Sequence, residues 1–251
     1  MIRTLLVRGL LVGLLAGLVV FAFALVFSEP LIEQAIAFEA DLHATAGDAP
    51  EPELVSRAVQ STVGLLIGVV VYSCALGGIF ALVFAYAQGR LGRIGPRGVA
   101  ALLAVAAFFV LFLVPQLKYP ANPPSIGEAD TIRARTALYF MMIAWSVMAA
   151  VGALLAARRF AGRLGIWNVS VFGGAIYVVL VGAVMWMLPA VDEVPAAFPA
   201  TLLWQFRIVS LGGHLLLLGT LGLVFGALTE RRVDLAILLR RGGLRRSRTN
   251  A

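Results

Sequence analysis

Charge is scarce in this chain. Only 13% of its 251 residues are Asp, Glu, Lys or Arg, and 61% are hydrophobic. A soluble domain carries about a quarter charged residues, and a soluble fold of this length could not hide so much apolar side chain. Lysine is almost missing, with Lys118 the sole example. No Gly-x-x-x-x-Gly-Lys-Ser/Thr loop is present, which excludes ATP hydrolysis by a P-loop. Gly-x-Gly-x-x-Gly and His-Glu-x-x-His are absent too, and with them the dinucleotide fingerprint and the helical zinc-protease motif. Cysteine is reduced to Cys74, so there is neither a disulfide framework nor a cysteine metal cluster. Cys74 reads as a small packing residue.

What is abundant is uninterrupted apolar sequence. Six runs are long enough to cross a bilayer as helices, at about 20 residues per crossing. They are Leu5–Phe27, Val59–Ala87, Val99–Leu117, Ala137–Ala157, Val169–Leu188 and Ile208–Leu228. The last five contain no Asp, Glu, Lys or Arg, and the first holds only Arg8 near its start. Lipid offers no partner to an unpaired backbone group, so such spans must be helical. The fold expected is all-α: one polytopic membrane domain over residues 1–251, with no soluble domain. The first run resembles a secretory signal in its Arg3 and Arg8, but its apolar stretch is longer than a signal core. It also places Gly9, Gly13 and Gly17 on one helix face, a surface for close helix packing. A retained first span is therefore expected.

The charges segregate when mapped onto the loops. One side gathers fifteen arginines: Arg3, Arg8, Arg90, Arg93, Arg97, Arg158, Arg159, Arg163 and seven in the tail 229–251. Only Glu230 and Asp234 oppose them. The other side holds eleven acids against Arg57, Lys118, Arg133, Arg135 and Arg207. The positive-inside rule makes the arginine-rich side cytoplasmic, with both termini there. The basic tail reads as an anchor to anionic lipid head groups. It lacks interleaved aromatics and any nucleic-acid motif, so nucleic acid is not an expected partner.

The external segments are then 28–56, 118–136 and 189–207, all rich in proline. Pro30 suits the first turn of a helix, and Glu29 and Glu33 suit its dipole. Leu31, Ala35, Phe38 and Leu42 line one face, which predicts a helix over 30–43 lying on the membrane surface. The stretch Ala46–Pro52 breaks it. Two short recurrences suggest an internal repeat or chance: Leu82-Val83-Phe84 with Leu223-Val224-Phe225, and Gly89-Arg90-Leu91-Gly92 with Gly162-Arg163-Leu164-Gly165.

Polar atoms concentrate on the inward-running spans. Span two carries Arg57, Gln60, Ser61, Gly64, Gly68 and Tyr72 on one stripe. Span four carries Arg135, Tyr139, Met142 and Ser146, and span six Arg207, Ser210 and His214. Polar side chains in lipid face the bundle interior or a wet cavity. Two readings follow: a polar pathway open to the outside, or hydrogen-bonded glue between helices. The external acids read either as solvated loops or as a means of concentrating cations at a pathway mouth. Glu39 and His43 are four residues apart on one helix face. With Glu29, Glu33 and His214 they are the candidate ligands for a divalent metal, since carboxylate and imidazole suit such ions. Arg57, Arg135 and Arg207 are the candidates for cradling an anion, or for pairing with the acids around them.

Three stretches resemble the CbtA family of probable bacterial cobalt transporter subunits. One runs from Arg8 to Gly17 and on to Glu29-Pro30 and Ala35-Ile36-Ala37-Phe38-Glu39. Another is Leu117-Lys118-Tyr119-Pro120-Ala121-Asn122-Pro123-Pro124 with Thr131-Ile132 and Arg135-Thr136. The third is Phe198-Pro199-Ala200-Thr201-Leu202-Leu203-Trp204 with Phe206-Arg207 and Ser210-Leu211-Gly212. That family is usually described with five spans; the charge segregation gives six here. The resemblance implies cobalt uptake linked to cobalamin supply, with a small single-span, His-rich partner (CbtB type) in the bacterial inner membrane. It brings no established site residues. No permanently bound cofactor is expected, with Co2+ as a transient cargo; membrane lipids are expected partners through the basic tail, and the oligomeric state is left open. The chain is not expected to be an enzyme. The competing reading is a non-transporting scaffold that binds an anionic lipid or ligand through its outer arginines.

Overall fold

The computed structural model describes residues 2–46, 55–92, 94–124, 126–127 and 129–230. The acids Asp48, Glu51, Glu53 and Glu128, together with Arg93, the break after Ala46 and the basic tail beyond Glu230, lie outside them. The described residues are overwhelmingly helical, and none of them is in a strand. Six helices are long and apolar enough to cross a membrane: Ile2–Leu42, Arg57–Ala87, Pro96–Lys118, Ile132–Arg163, Gly165–Met187 and Ala200–Glu230. They enclose the six apolar runs to within one residue.

Most of these helices are not uniform. Helix α1 (Ile2–Phe23) passes through a π-turn, Ala24–Ser28, into α2 (Glu29–Ala46). A short α3 (Arg57–Val59) leads through the π-turn Gln60–Gly64 into α4 (Leu65–Ala87). Likewise α5 (Pro96–Ala107) joins α6 (Val114–Lys118) through Phe108–Leu113. Helix α8 (Ala200–Thr220) continues into the π-turn Leu221–Phe225. Only α7 (Ile132–Met187) has none. It breaks instead at Gly165, whose φ of 72° and ψ of 165° suit glycine almost alone. Phe160 packs on Phe172, and Ser146 reaches Tyr177, so the two arms of α7 run antiparallel as a hairpin.

The expected surface helix over 30–43 needs correction. The face is right, but α2 grows directly out of the first span. Its buried Leu31 and Ala35 pack on Ile126, Phe198 and Leu202, with Phe38 edge-on to Phe198. Loop residues Ile126 and Phe198 and the start of α8 cover that face within the second unit. Helix also reaches further into the external segments than expected, starting at Ile132 and Ala200. Helix propagation needs backbone hydrogen bonds, not apolar side chains, and Pro199 O accepts the first bond of α8 from Leu203 N.

The chain divides into two compact units. The first comprises 1–26, 53–106 and 213–251. In it α1 crosses α4 at glycine. A Cβ on Gly13 would lie 2.5 Å from Ser73 O and 2.9 Å from Cys74 Cα. One on Gly9 would strike Gly77 O and Ala81 Cβ. This bears out the packing face read from Gly9, Gly13 and Gly17. Phe80 and Phe84 meet Phe225 edge-on, so the recurrent Leu-Val-Phe motifs bring their phenylalanines together. Gly222 and Gly226 admit Ala104 and Ala100. Arg8 donates to Thr229 Oγ1, and Arg97 pairs with Glu230.

The second unit comprises 27–52 and 107–212. One of its cores is the α2 cluster just described. The other surrounds Met142, with Val114, Tyr119, Ala149 and Val181.

Candidate functional site

The polar groups of the second unit gather where α6 ends and α7 and α8 begin. Pro115 fixes the start of α6, and buried Gln116 follows it. Gln116 Nε2 donates to Ser210 Oγ at 3.3 Å. The chain then leaves the helix at Tyr119, whose hydroxyl donates to Pro189 O at 2.9 Å. Burial raises the Tyr119 phenol above its ordinary pKa, so it remains a neutral donor. The following Ala121 and Asn122 receive Arg207: its Nε donates to Ala121 O at 3.3 Å, and a terminal nitrogen to Asn122 Oδ1 at 2.9 Å. Arg207 and Ser210 lie three residues apart on one face of α8, so α8 grips the 116–122 segment at two levels.

Arg135 plays a similar part on α7. Its Nε lies 3.1 Å from Glu193 Oε2, and a terminal nitrogen donates to Ile126 O at 3.3 Å. Thr131 Oγ1 donates to the same Glu193 oxygen at 2.8 Å. Gly127, at φ 110°, lets the guanidinium lie against the backbone where a Cβ would collide. The loop segments 119–127 and 189–193 are thereby stapled to α7 and α8. Arg135 pairs with an acid, Glu193, whereas Arg207 bonds a backbone carbonyl and the Asn122 amide.

The other members of the polar stripes are distributed as follows. Ser146 is fully buried, donates to Val110 O at 2.7 Å and meets Tyr177 Oη at 2.8 Å. With the serine proton committed to the carbonyl, Tyr177 is the donor of the second bond. Val110 sits in a π-turn, where a side chain can insert against the widened backbone. Tyr139 packs on the Met142 core. Gln60 and Ser61 bond upstream carbonyls, Val55 O and Ala58 O, within the second span's first turns. Tyr72 is exposed, and Arg57 and His214 are half-buried in the first unit.

Among the candidate ligands, Glu29 is 7% exposed at the start of α2, Glu33 is exposed and Glu39 is half-buried. Glu29 and Glu33 are four residues apart on one face of α2, and Glu39 falls on another. The side chain of His43 lies outside what the structure describes. Among the described residues, no group of three or more His, Cys, Asp or Glu could hold a metal ion.

The polar stripes read from the sequence did not include Gln116, Asn122 or Tyr177, and Glu193 was counted only among the acids of one face. The stripes were drawn on the second, fourth and sixth spans, whereas Gln116 is on the third and Tyr177 on the fifth. Asn122 lies inside a motif already singled out.

No curated protein and no solved structure matches the chain. A family model does: CbtA, the probable cobalt transporter subunit, over residues 2–230. The match takes in all six apolar helices and both stapled loops, and the chain belongs to the CbtA family of probable cobalt transporter subunits.

Proposed function

We propose that this chain is the membrane subunit of an uptake system for a divalent cation, cobalt, in the bacterial inner membrane. The family match over 2–230 carries the reading. The chain has no P-loop, so the work comes from a membrane gradient or from a partner protein. The small His-rich single-span protein of the CbtB type is the partner proposed. Cobalt is cargo here and not a resident cofactor, and no enzymatic step is assigned. Buried Glu29 in the second unit and, separately, His214 in the first are each a donor of a kind suited to such an ion. The scaffold reading loses ground because Arg135 and Arg207 already hold loop carbonyls, Asn122 and Glu193.

Labelled cobalt uptake into proteoliposomes tests this, first with the chain alone and then with the partner. Uptake above protein-free vesicles is expected in at least the second case. Its absence in both, with the protein folded and inserted, would overturn the reading. Within the same assay, His214→Gln keeps hydrogen bonding and bulk but loses the imidazole. If His214 handles the cation, the Gln variant remains stable and loses uptake; parental uptake would retire it as a functional residue.

A further inference from the structure

The arginines of the described residues fall into contrasting groups. Arg8, Arg90, Arg97, Arg135 and Arg207 each bond a protein group. Arg158, Arg159 and Arg163, at the tip of the α7 hairpin, are exposed and bond none among the described residues. The hairpin cannot neutralise them itself, because the sequence holds no Asp or Glu between Asp130 and Asp192. Arg159 and Arg163 are four residues apart and share a helix face, with Arg158 beside them. The tip stands clear of its surroundings: a Cβ on Gly162 or Gly165 would meet nothing within 4 Å.

Apolar surface begins immediately beyond the cations. Ile166 is 89% exposed and Trp167 79%. Val171, Val178 and Val179 continue this exposed surface along the second arm. Phe160 on Phe172, with ring centroids 5.5 Å apart, locks the two arms below the tip. A tryptophan at the end of a span sits at head-group level. Guanidinium groups bind phosphate through paired N–H donors. The tip therefore offers cations at the level of a phosphate and apolar surface where acyl chains begin.

We propose that the 158–167 tip is a binding site for an anionic phospholipid of the leaflet it faces. Charge complementarity selects an anion, and the adjoining Ile166 and Trp167 select a lipid over free phosphate. The positive-inside rule assigns this tip to the cytoplasmic side, where anionic head groups attract basic segments.

Native mass spectrometry of the purified full chain in neutral detergent tests the site. Phosphatidylglycerol, phosphatidylcholine and inorganic phosphate are the probes. Phosphatidylglycerol should be retained in preference to phosphatidylcholine, and excess inorganic phosphate should not displace it. Changing Arg158, Arg159 and Arg163 together to Gln should weaken phosphatidylglycerol retention about a hundredfold, as expected for three cations at an anionic surface. The matching triple Lys variant should keep most of the preference, showing that charge and not fold was lost. Equal retention of the two lipids, displacement by phosphate, or parental selectivity in the Gln variant would each overturn the site. Should the Gln variant fail to fold, a second measurement decides. With Trp145, Trp186 and Trp204 changed to Phe, brominated phosphatidylglycerol should quench Trp167 more than brominated phosphatidylcholine at equal mole fraction. Equal quenching rejects the proposal.

Discussion

Arg135 and Arg207 are among the few charged residues of this chain, and both use their charge to hold loop structure. Glu193 accepts from Thr131 and forms an ion pair with Arg135, and the Arg135 and Glu193 side chains are only 24% and 16% exposed. An ion pair this shielded is worth more than one on an open surface. Arg135→Ala should therefore lower stability by about 2 kcal/mol, since it leaves Glu193 without its cation and Ile126 O short of a donor. Thermal unfolding in detergent would measure this, and raising the salt concentration should leave most of the deficit in place. A deficit that vanished in salt would return Arg135 to the class of solvated surface charges. The position of Arg135 at the mouth of a span was legible in the sequence; its partner was not. Glu193 is 58 residues away, and no spacing rule links a helix start to a later loop. Ser146 shows the same limit. Its helix face could be counted, whereas its acceptor, Val110 O, is 36 residues away in a π-turn that leaves no clear mark in the sequence.

At the scale of elements, the glycine crossing of α1 and α4 is the most sharply determined contact. Gly9, Gly13 and Gly17 were readable as a face because their spacing is four. The structure adds what that face meets: the backbone of Ser73, Cys74 and Gly77. Backbone cannot swing aside as a side-chain end can. Gly13→Leu should therefore cost at least about 3 kcal/mol, at the upper end for overpacking, and show as lost abundance and a lower Tm. Gly68→Leu is the internal comparison, since nothing lies within 4 Å of a Cβ there, and it should be near neutral. Equal behaviour of the two variants would disprove the tight crossing. Four π-turns, all outside α7, set the other elements apart from the hairpin. Such turns occur often at functional sites, and one of them immediately precedes buried Glu29.

For the whole molecule, topology is the property most open to direct measurement. In a Cys74→Ser background, Ala196→Cys and Gly162→Cys place single thiols on an exposed loop and on the exposed hairpin tip of the second unit. A membrane-impermeant maleimide added to intact cells should label the first and spare the second. Labelling of both, or of Gly162→Cys alone, would contradict the six-span arrangement with the arginine-rich side inside. The two recurrences noted in the sequence had different fates. Leu-Val-Phe brings Phe84 and Phe225 into contact. Gly-Arg-Leu-Gly shares a left-handed glycine at its end, Gly92 and Gly165, but not at its start, where only Gly89 has positive φ. The likeness is local, and its glycines mark two separate turns.

The sequence by itself determined that this chain is helical, that six of its helices are long and apolar enough to cross a bilayer, and that three glycines form a packing face. These follow from local rules. Hydrocarbon forbids unpaired backbone, and a helix repeats every 3.6 residues whatever surrounds it. Tertiary structure alone decided which polar groups meet. It joined Gln116 to Ser210, Arg207 to Asn122 and Arg135 to Glu193, laid α2 on Ile126 and Phe198, and left the three hairpin-tip arginines without partners among the described residues. These outcomes depend on which distant segments pack together, and in a chain so rich in Leu, Ala and Gly many pairings bury apolar surface equally well. The few hydrogen bonds and glycine contacts that distinguish one pairing from another exist only once the helices are in place.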